Sequence, residues 1–218
     1  MDLSLIETLR WEPQAGFVRL ERHLARLARS AAALGLPGAE GARTALTEAV
    51  DAAFGPAATP SATQPTPLRI RLELFGNGRI EVKTATFVPL AAGTVWTVRI
   101  AATTLRSDDP LLRHKTSRRA AYEAARAEFP AGGVDEVVLL NERGEVCEGT
   151  ITSVFLDDGG GILRTPPLAC GLLAGVLREE LFESGRARET VLHVDDLAAG
   201  RLFVGNSLRG LIPARLSL

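Results

Sequence analysis

Few side chains in this sequence combine reactive chemistry with a setting that could tune it, and Lys115 is foremost among them. It lies in the run Arg113-His114-Lys115-Thr116-Ser117-Arg118-Arg119-Ala120-Ala121-Tyr122. Three neighbouring guanidinium groups disfavour another positive charge, and so favour the neutral amine that attacks carbonyl carbon. A solvated surface lysine is the competing account, and the run by itself does not separate the two. The segment follows a turn-like Ser107-Asp108-Asp109-Pro110 and enters Ala121 to Phe129, whose alanines, glutamates and arginines favour a helix. On such a helix Lys115, Arg119 and Tyr122 can share one face. Other candidates are Arg26 in His-Leu-Ala-Arg-Leu, Glu148 in Glu-Gly-Thr-Ile-Thr-Ser, the stretch Gly175-Val176-Leu177, and Gly205-Asn206-Ser207. A helix opening after glycine presents free N–H groups at its positive end, which suits a phosphate. Each feature also has a plain structural use: Glu148 as a strand-surface acid, Ser207 capping its own turn, the helix start facing water.

The bulk composition limits the field. A chain of 218 residues, 46% apolar and 23% charged, can bury a substantial core in one large or two small domains. A net charge of -1 gives no reason to expect nucleic acid or a membrane surface as partner. Cys147 and Cys170 are the only cysteines and lack metal-ligand spacing, so neither a metal site nor a disulfide framework is expected. No apolar run approaches membrane-spanning length, and a cytoplasmic setting is expected.

The elements that must position these residues follow from periodicity. Leu3 to Trp11 reads as a strand, Glu12 to Gly16 as a turn, and Phe17 to Leu20 as the return strand. Leu20, Leu24, Leu27, Ala31 and Leu34 then recur at helical spacing up to Gly35-Leu36-Pro37. Between them, Arg22, His23, Arg26 and Arg29 occupy the remaining positions, most of them read as solvated charges and His23 as an ordinary helix-surface residue. A second helix spans about Gly41 to Phe54, and Gly55 to Pro67 is a Pro/Ala/Thr-rich connector. Leu68, Ile70, Leu72 and Leu74 alternate with polar residues, and after Gly76-Asn77-Gly78 the alternation resumes, which makes a hairpin. Pro89 and Gly93 suggest a boundary, giving domains 1–90 and 91–218. Trp96 to Thr104 and Val134 to Leu140 read as strands, Glu145 to Phe155 as one return strand carrying Glu148, and Ile162 to Arg164 as a short strand. Asp157 to Gly161 forms a loop without the Lys-Ser/Thr of a nucleotide site. Leu172 to Phe182 reads as a helix, Thr190 to Val194 and Arg201 to Val204 as strands around a short acidic helix, and Gly205 to Gly210 as a tight turn.

The order Arg26, Lys115, Glu148, Gly175-Val176, Gly205-Asn206-Ser207, over nearly the whole chain, resembles the class IV aminotransferase family, the pyridoxal 5'-phosphate enzymes of fold type IV. Leu5-Ile6-Glu7-Thr8, Glu21-Arg22-His23-Leu24, Arg119 with Tyr122, and Gly205 to Leu211 are most similar to its aminodeoxychorismate lyase branch. That branch includes the lyase-like domain fused behind aminodeoxychorismate synthase. The resemblance implies an α+β (α/β) fold like that of D-amino acid aminotransferase, with a small N-terminal α/β domain, a larger β-rich C-terminal α/β domain, and the cofactor at their interface. It implies that Lys115 joins the cofactor aldehyde, Glu148 pairs with its ring nitrogen, and Arg26, the N–H groups of Val176 and Leu177, and Ser207 hold its phosphate. Ser153, standing where the family often has Asn, joins the cofactor contacts. Arg119 and Arg209 become candidates for substrate carboxylates, and Tyr122 for orienting Lys115 or the ring hydroxyl. The implied reaction is a folate-pathway lyase making 4-aminobenzoate and pyruvate from a small-molecule substrate. Transamination of an amino acid/keto acid pair, or a non-catalytic domain docking on a synthase, are the alternatives. A homodimer, and a synthase partner, are further implications.

Overall fold

The computed structural model describes residues 3–54 and 66–217, so the connector expected at Gly55 to Pro67 lies, through residue 65, outside the described residues. The chain forms two compact units, Met1–Pro89 with Lys115–Ser117, and Leu90–His114 with Arg118–Leu218. A single cut near residue 90 would leave Lys115 with the second; its backbone instead belongs to the first.

In the first unit β1 (Ser4–Glu12), β2 (Gly16–Val18), β3 (Leu68–Phe75) and β4 (Ile80–Thr86) make an antiparallel sheet ordered β2-β1-β3-β4. The return strand is shorter than the sequence suggests, because Arg19 adopts φ 61° and turns the chain straight into α1 (Leu20–Leu34). Together with α2 (Ala42–Phe54), α1 supplies the apolar side chains that meet one face of the sheet. Alternation puts Leu68, Ile70, Leu72 and Leu74 on that face, opposite Trp11, Leu9, Glu7 and Leu5 of β1. Leu27, Ala31 and Leu46 complete the core from the helices.

The second unit is built on an eight-stranded, curled sheet. Its strands are β5 (Trp96–Leu105), β6 (Glu136–Asn141), β7 (Val146–Gly149), β8 (Ser153–Asp157), β9 (Leu163–Thr165), β10 (Ala187–Glu189), β11 (Arg201–Asn206) and β12 (Gly210–Leu216). Their order is β10-β9-β8-β11-β12-β5-β6-β7. Three helices accompany them, α3 (Ala120–Ala127), α4 (Val176–Glu183) and α5 (Val194–Ala199). Val154, Phe155, Leu156, Val137, Val138 and Leu139 are all buried, as expected where both faces of a sheet are covered.

Several expectations need correction. Glu145 to Phe155 is not one strand: Thr150–Thr152 breaks it into β7 and β8, which lie apart in the strand order. Leu172 to Gly175 is not helical, and α4 begins only at Val176. The strand expected at Thr190 to Val194 is found earlier, at Ala187–Glu189. Beyond the Gly205 turn the chain adds β12, which pairs with both β11 and β5. Finally, α3 starts at Ala120 with Arg119 as its N-cap, so Lys115, Arg119 and Tyr122 do not share a helix face.

Candidate active site

In the first unit one strand organises the chemistry. Residues 115–117 run beside β1: Ile6 N–H donates to Lys115 carbonyl (2.8 Å), Ser117 N–H donates to Ser4 carbonyl (2.9 Å), and Leu5 bridges Thr116. Lys115 is half-buried and Thr116 buried. Next along β1 comes Glu7, which alternation places on the same face as Leu5 and Leu9, inside the core. A carboxylate there needs partners, because an unpaired buried charge is costly. His23 and Arg26, three apart and therefore on one face of α1, supply them. Arg26 donates from Nε to Glu7 Oε1 (2.8 Å) and from Nη2 to Glu7 Oε2 (2.6 Å). His23 Nδ1 lies 2.6 Å from Glu7 Oε2; since a carboxylate only accepts, that nitrogen carries the hydrogen.

These pairings set the titration of the cluster. Burial pushes the Glu7 carboxyl up, but the Arg26 charge and the hydrogen bonds from His23 and Arg26 outweigh it and hold it at about 2. Burial holds His23 below its ordinary value despite the carboxylate beside it. His23, expected on the helix surface, is thus buried and shares the Glu7 carboxylate with Arg26. Glu7's position between Leu5 and Leu9 was the available signal for a charged pair beneath α1.

The second unit gathers the remaining candidates. Glu148 is buried on β7 and accepts a 2.7 Å hydrogen bond from the Tyr122 hydroxyl of α3. Burial, and then the Glu148 charge, push that phenol well above its ordinary pKa, so it stays a donor. The Tyr122 hydroxyl is thereby committed as a donor to the acid. Arg119 lies 4.8 Å from the Tyr122 ring centroid and donates to the Thr150 carbonyl, so its guanidinium is engaged in holding structure.

Ser153 opens β8 and pairs in register with Gly205 of β11. A Cβ on Gly175, the N-cap of α4, would stand 2.8 Å from Ser153 Oγ. A Cβ on Gly205 would meet Gly210 O at 2.8 Å and Leu177 Cδ2 at 2.9 Å. The start of α4, the head of β8 and the end of β11 therefore converge, and glycine is what lets them approach. Among the described residues no side chain caps α4, so the first N–H groups, at Val176 and Leu177, remain for an anion. Ser207 is buried in the turn that follows β11, and the Arg209 N–H donates to Asn206 Oδ1 within that turn. The neighbouring thiols are unsuited to catalysis: burial pushes Cys170 up to about 12 and Cys147 higher still.

A buried acid and, on the same unit, a helix N-terminus without a side-chain cap beside the Ser153 hydroxyl suit a heteroaromatic cofactor that carries a phosphate. The residues present fit pyridoxal phosphate in both respects. The class defined by this fold and these groups is that of the fold type IV enzymes.

The chain belongs to the class IV aminotransferases, whose family pattern matches residues 4–216. That family consists of enzymes dependent on pyridoxal phosphate. A crystal structure from Mesorhizobium loti, provisionally named an amino-acid aminotransferase, is 51% identical. It covers 99% of this chain and 100% of its own length, with a TM-score of 0.89. A Schizosaccharomyces pombe protein, provisionally named an aminodeoxychorismate lyase, is 30% identical over 87% of this chain and 80% of its own length. A Thermotoga maritima protein, provisionally named a branched-chain-amino-acid aminotransferase, is 34% identical over 86 residues. That match spans 37% of this chain and about a third, 31%, of the relative.

Proposed function

We propose that this chain is a pyridoxal phosphate-dependent 4-amino-4-deoxychorismate lyase that releases 4-aminobenzoate and pyruvate. The observation that carries the proposal is the extent of alignment: the relative named for this lyase aligns over 87% of the chain, the branched-chain aminotransferase over 37%. Leu177, standing where the resemblance gives branched-chain enzymes a threonine, supports the same choice.

When bound, the cofactor would supply an aldehyde reactive towards amines and a protonated ring that can accept electrons from the adjacent carbon. Lys115 gives the amine that secures the aldehyde. With substrate bound, the Lys115 amine would take the proton from the amine-bearing carbon and, as the carbon–oxygen bond to the enolpyruvyl group breaks and the ring becomes aromatic, would return it to that group, which leaves as pyruvate. Glu148 keeps the ring nitrogen protonated, while Tyr122 fixes the direction of that carboxylate. Arg26, the N–H groups of Val176 and Leu177, and the Ser207 hydroxyl bind phosphate, with Ser153 beside them. Arg209 receives a substrate carboxylate. The proposal extends to a cytoplasmic, folate-pathway homodimer working with a synthase; light scattering of the purified chain checks the dimer.

Purified protein loaded with pyridoxal phosphate should release pyruvate from 4-amino-4-deoxychorismate without any keto acid. No pyruvate at high enzyme concentration would overturn the lyase assignment. The 51% identical relative named an amino-acid aminotransferase supports a second reading. Under it, an amino donor alone would bleach the visible cofactor band, and a keto acid would restore it.

A further inference from the structure

Between Glu148 and Ser153 the backbone keeps two main-chain bonds, Gly149 N–H to the Thr152 carbonyl (2.8 Å) and Thr150 N–H to the Val137 carbonyl (3.0 Å), and side chains hold much of the rest. Strands β7 and β8 are not neighbours in the sheet order, so the N–H and C=O groups of the Thr150–Thr152 turn cannot all be satisfied by strand pairing. Glu136 of β6, with no exposed surface, answers most of the donors. Its Oε1 accepts from the Thr150 N–H (3.1 Å) and hydroxyl (2.6 Å), and from the Val137 N–H (2.9 Å). Its Oε2 accepts from the Ile151 N–H (3.2 Å) and the Thr152 hydroxyl (2.8 Å). Two of the carbonyls have side-chain donors: Thr150 O accepts from Arg119 and Ile151 O from Asn206 Nδ2 (3.1 Å). Gly149 is pressed so close that a Cβ there would collide with Thr152 Oγ1 and meet Glu136 Oε2 at 2.8 Å. One buried carboxylate therefore binds two N–H groups and both threonine hydroxyls of the turn that follows Glu148, beside the main-chain bonds there.

We propose that Glu136 is a positioning residue for Glu148, acting through the Gly149–Thr152 turn to hold that acid at the angle the cofactor's ring nitrogen requires. This rests on the cofactor role proposed for Glu148, and it makes Glu136 a supporting acid rather than one that touches cofactor. Both oxygens are committed to donors, so Glu136→Gln turns one acceptor into an NH2 group aimed at other donors, while preserving shape. The turn then loosens, and Glu148, one residue before it, loses its fixed direction.

The test is a double-mutant cycle on cofactor affinity, measured by titrating the cofactor-free chain with pyridoxal phosphate and following visible absorbance. E136Q should weaken binding by about ten- to a hundredfold, the range seen when a supporting partner of a ligand-holding group is lost. In an E148Q background the same change should cost less than about twofold, because nothing remains to be positioned. In the cofactor-free chain, amide hydrogen exchange at Thr150 and Ile151 should quicken in E136Q, whether or not E148Q is also present. Should E136Q not fold, Thr152→Val removes one of the two hydroxyl donors and should give the same pattern at smaller amplitude. Equal losses with and without E148Q, or no loss in either background, would overturn the inference while leaving the cofactor assignment intact. A wild-type chain that takes up no cofactor would overturn both.

Discussion

Glu7 places a charge on a sheet face otherwise given to leucine, and its pairing makes the first unit sensitive to acid. Its folded carboxyl sits at about 2 against an ordinary 4.5, so its stabilisation is complete above pH 4.5 and is lost as pH falls towards 2. His23, held below its ordinary 6.5, acts in the same direction, because only the unfolded chain takes up its proton readily just below that pH. Stability should therefore decline steadily from about pH 6.5 downward, with Glu7 accounting for about 3 kcal/mol of the loss. Each unit holds one tryptophan, Trp11 in β1 and Trp96 in β5, so Trp96→Phe leaves a fluorescence reporter of the first unit alone. Urea titrations of that variant at several pH values should show the decline. Glu7→Gln should lower stability by about 3–5 kcal/mol at neutral pH, since it leaves Arg26 buried with a neutral partner, and should flatten the acid slope. An unchanged slope would assign the acid sensitivity elsewhere. At Tyr122 the expected change is smaller. Tyr122→Phe removes one hydrogen bond to a charged acceptor and should cost about 1.5–3 kcal/mol in the second unit, read from Trp96 in a Trp11→Phe background.

At the scale of elements, the approach of β11 to the start of α4, on which the proposed phosphate site rests, depends on the absence of a side chain at Gly205. Gly205→Ala sets a methyl group against Gly210 O, which is backbone and cannot swing aside, and against Leu177. We expect β11 and α4 to separate, with about 1–3 kcal/mol of overpacking strain. Affinity for pyridoxal phosphate should fall further than affinity for pyridoxal, which has no phosphate to lose contacts with. Equal losses for the two ligands would remove α4 from the phosphate site. Elements whose cause is local were legible beforehand: α1 from its leucines, the β3–β4 hairpin from strict alternation around Gly76-Asn77-Gly78. The break after Gly149 was not, because Thr-Ile-Thr-Ser has good strand propensity and the turn is imposed by Glu136, distant in sequence. Strand β12 carries Pro213, which lowers its strand signal; pairing with β5 begins one residue later, at Ala214, where an N–H is available again. The candidate site was legible as a list of residue types in order. The partners that hold those residues, Glu7 for Arg26 and Glu136 for the turn, were hidden, because each acts across elements rather than along them.

For the molecule as a whole, the proposed cofactor groups divide between the two units: Lys115 and Arg26 are fixed to β1 of the first, while Glu148, Ser153, Val176, Leu177 and Ser207 belong to the second. A ligand bound to the native chain stabilises whatever its binding requires to be folded, by about 2.7 kcal/mol at a concentration one hundred times its Kd. If both sets of residues hold one cofactor, that stabilisation must be distributed over both units. Hydrogen exchange with and without pyridoxal phosphate should then show slower exchange in β1 and the 115–117 segment as well as around β7, β8 and the start of α4. Lys115→Ala, which cannot join the aldehyde, should lose most of the protection in the first unit and retain part of it in the second, where phosphate and ring nitrogen are still held. Glu148→Gln should do the reverse, slowing exchange along β1 while leaving β7 close to its cofactor-free rate. Protection confined to one unit in the unmutated chain would mean that these residues do not serve a common cofactor.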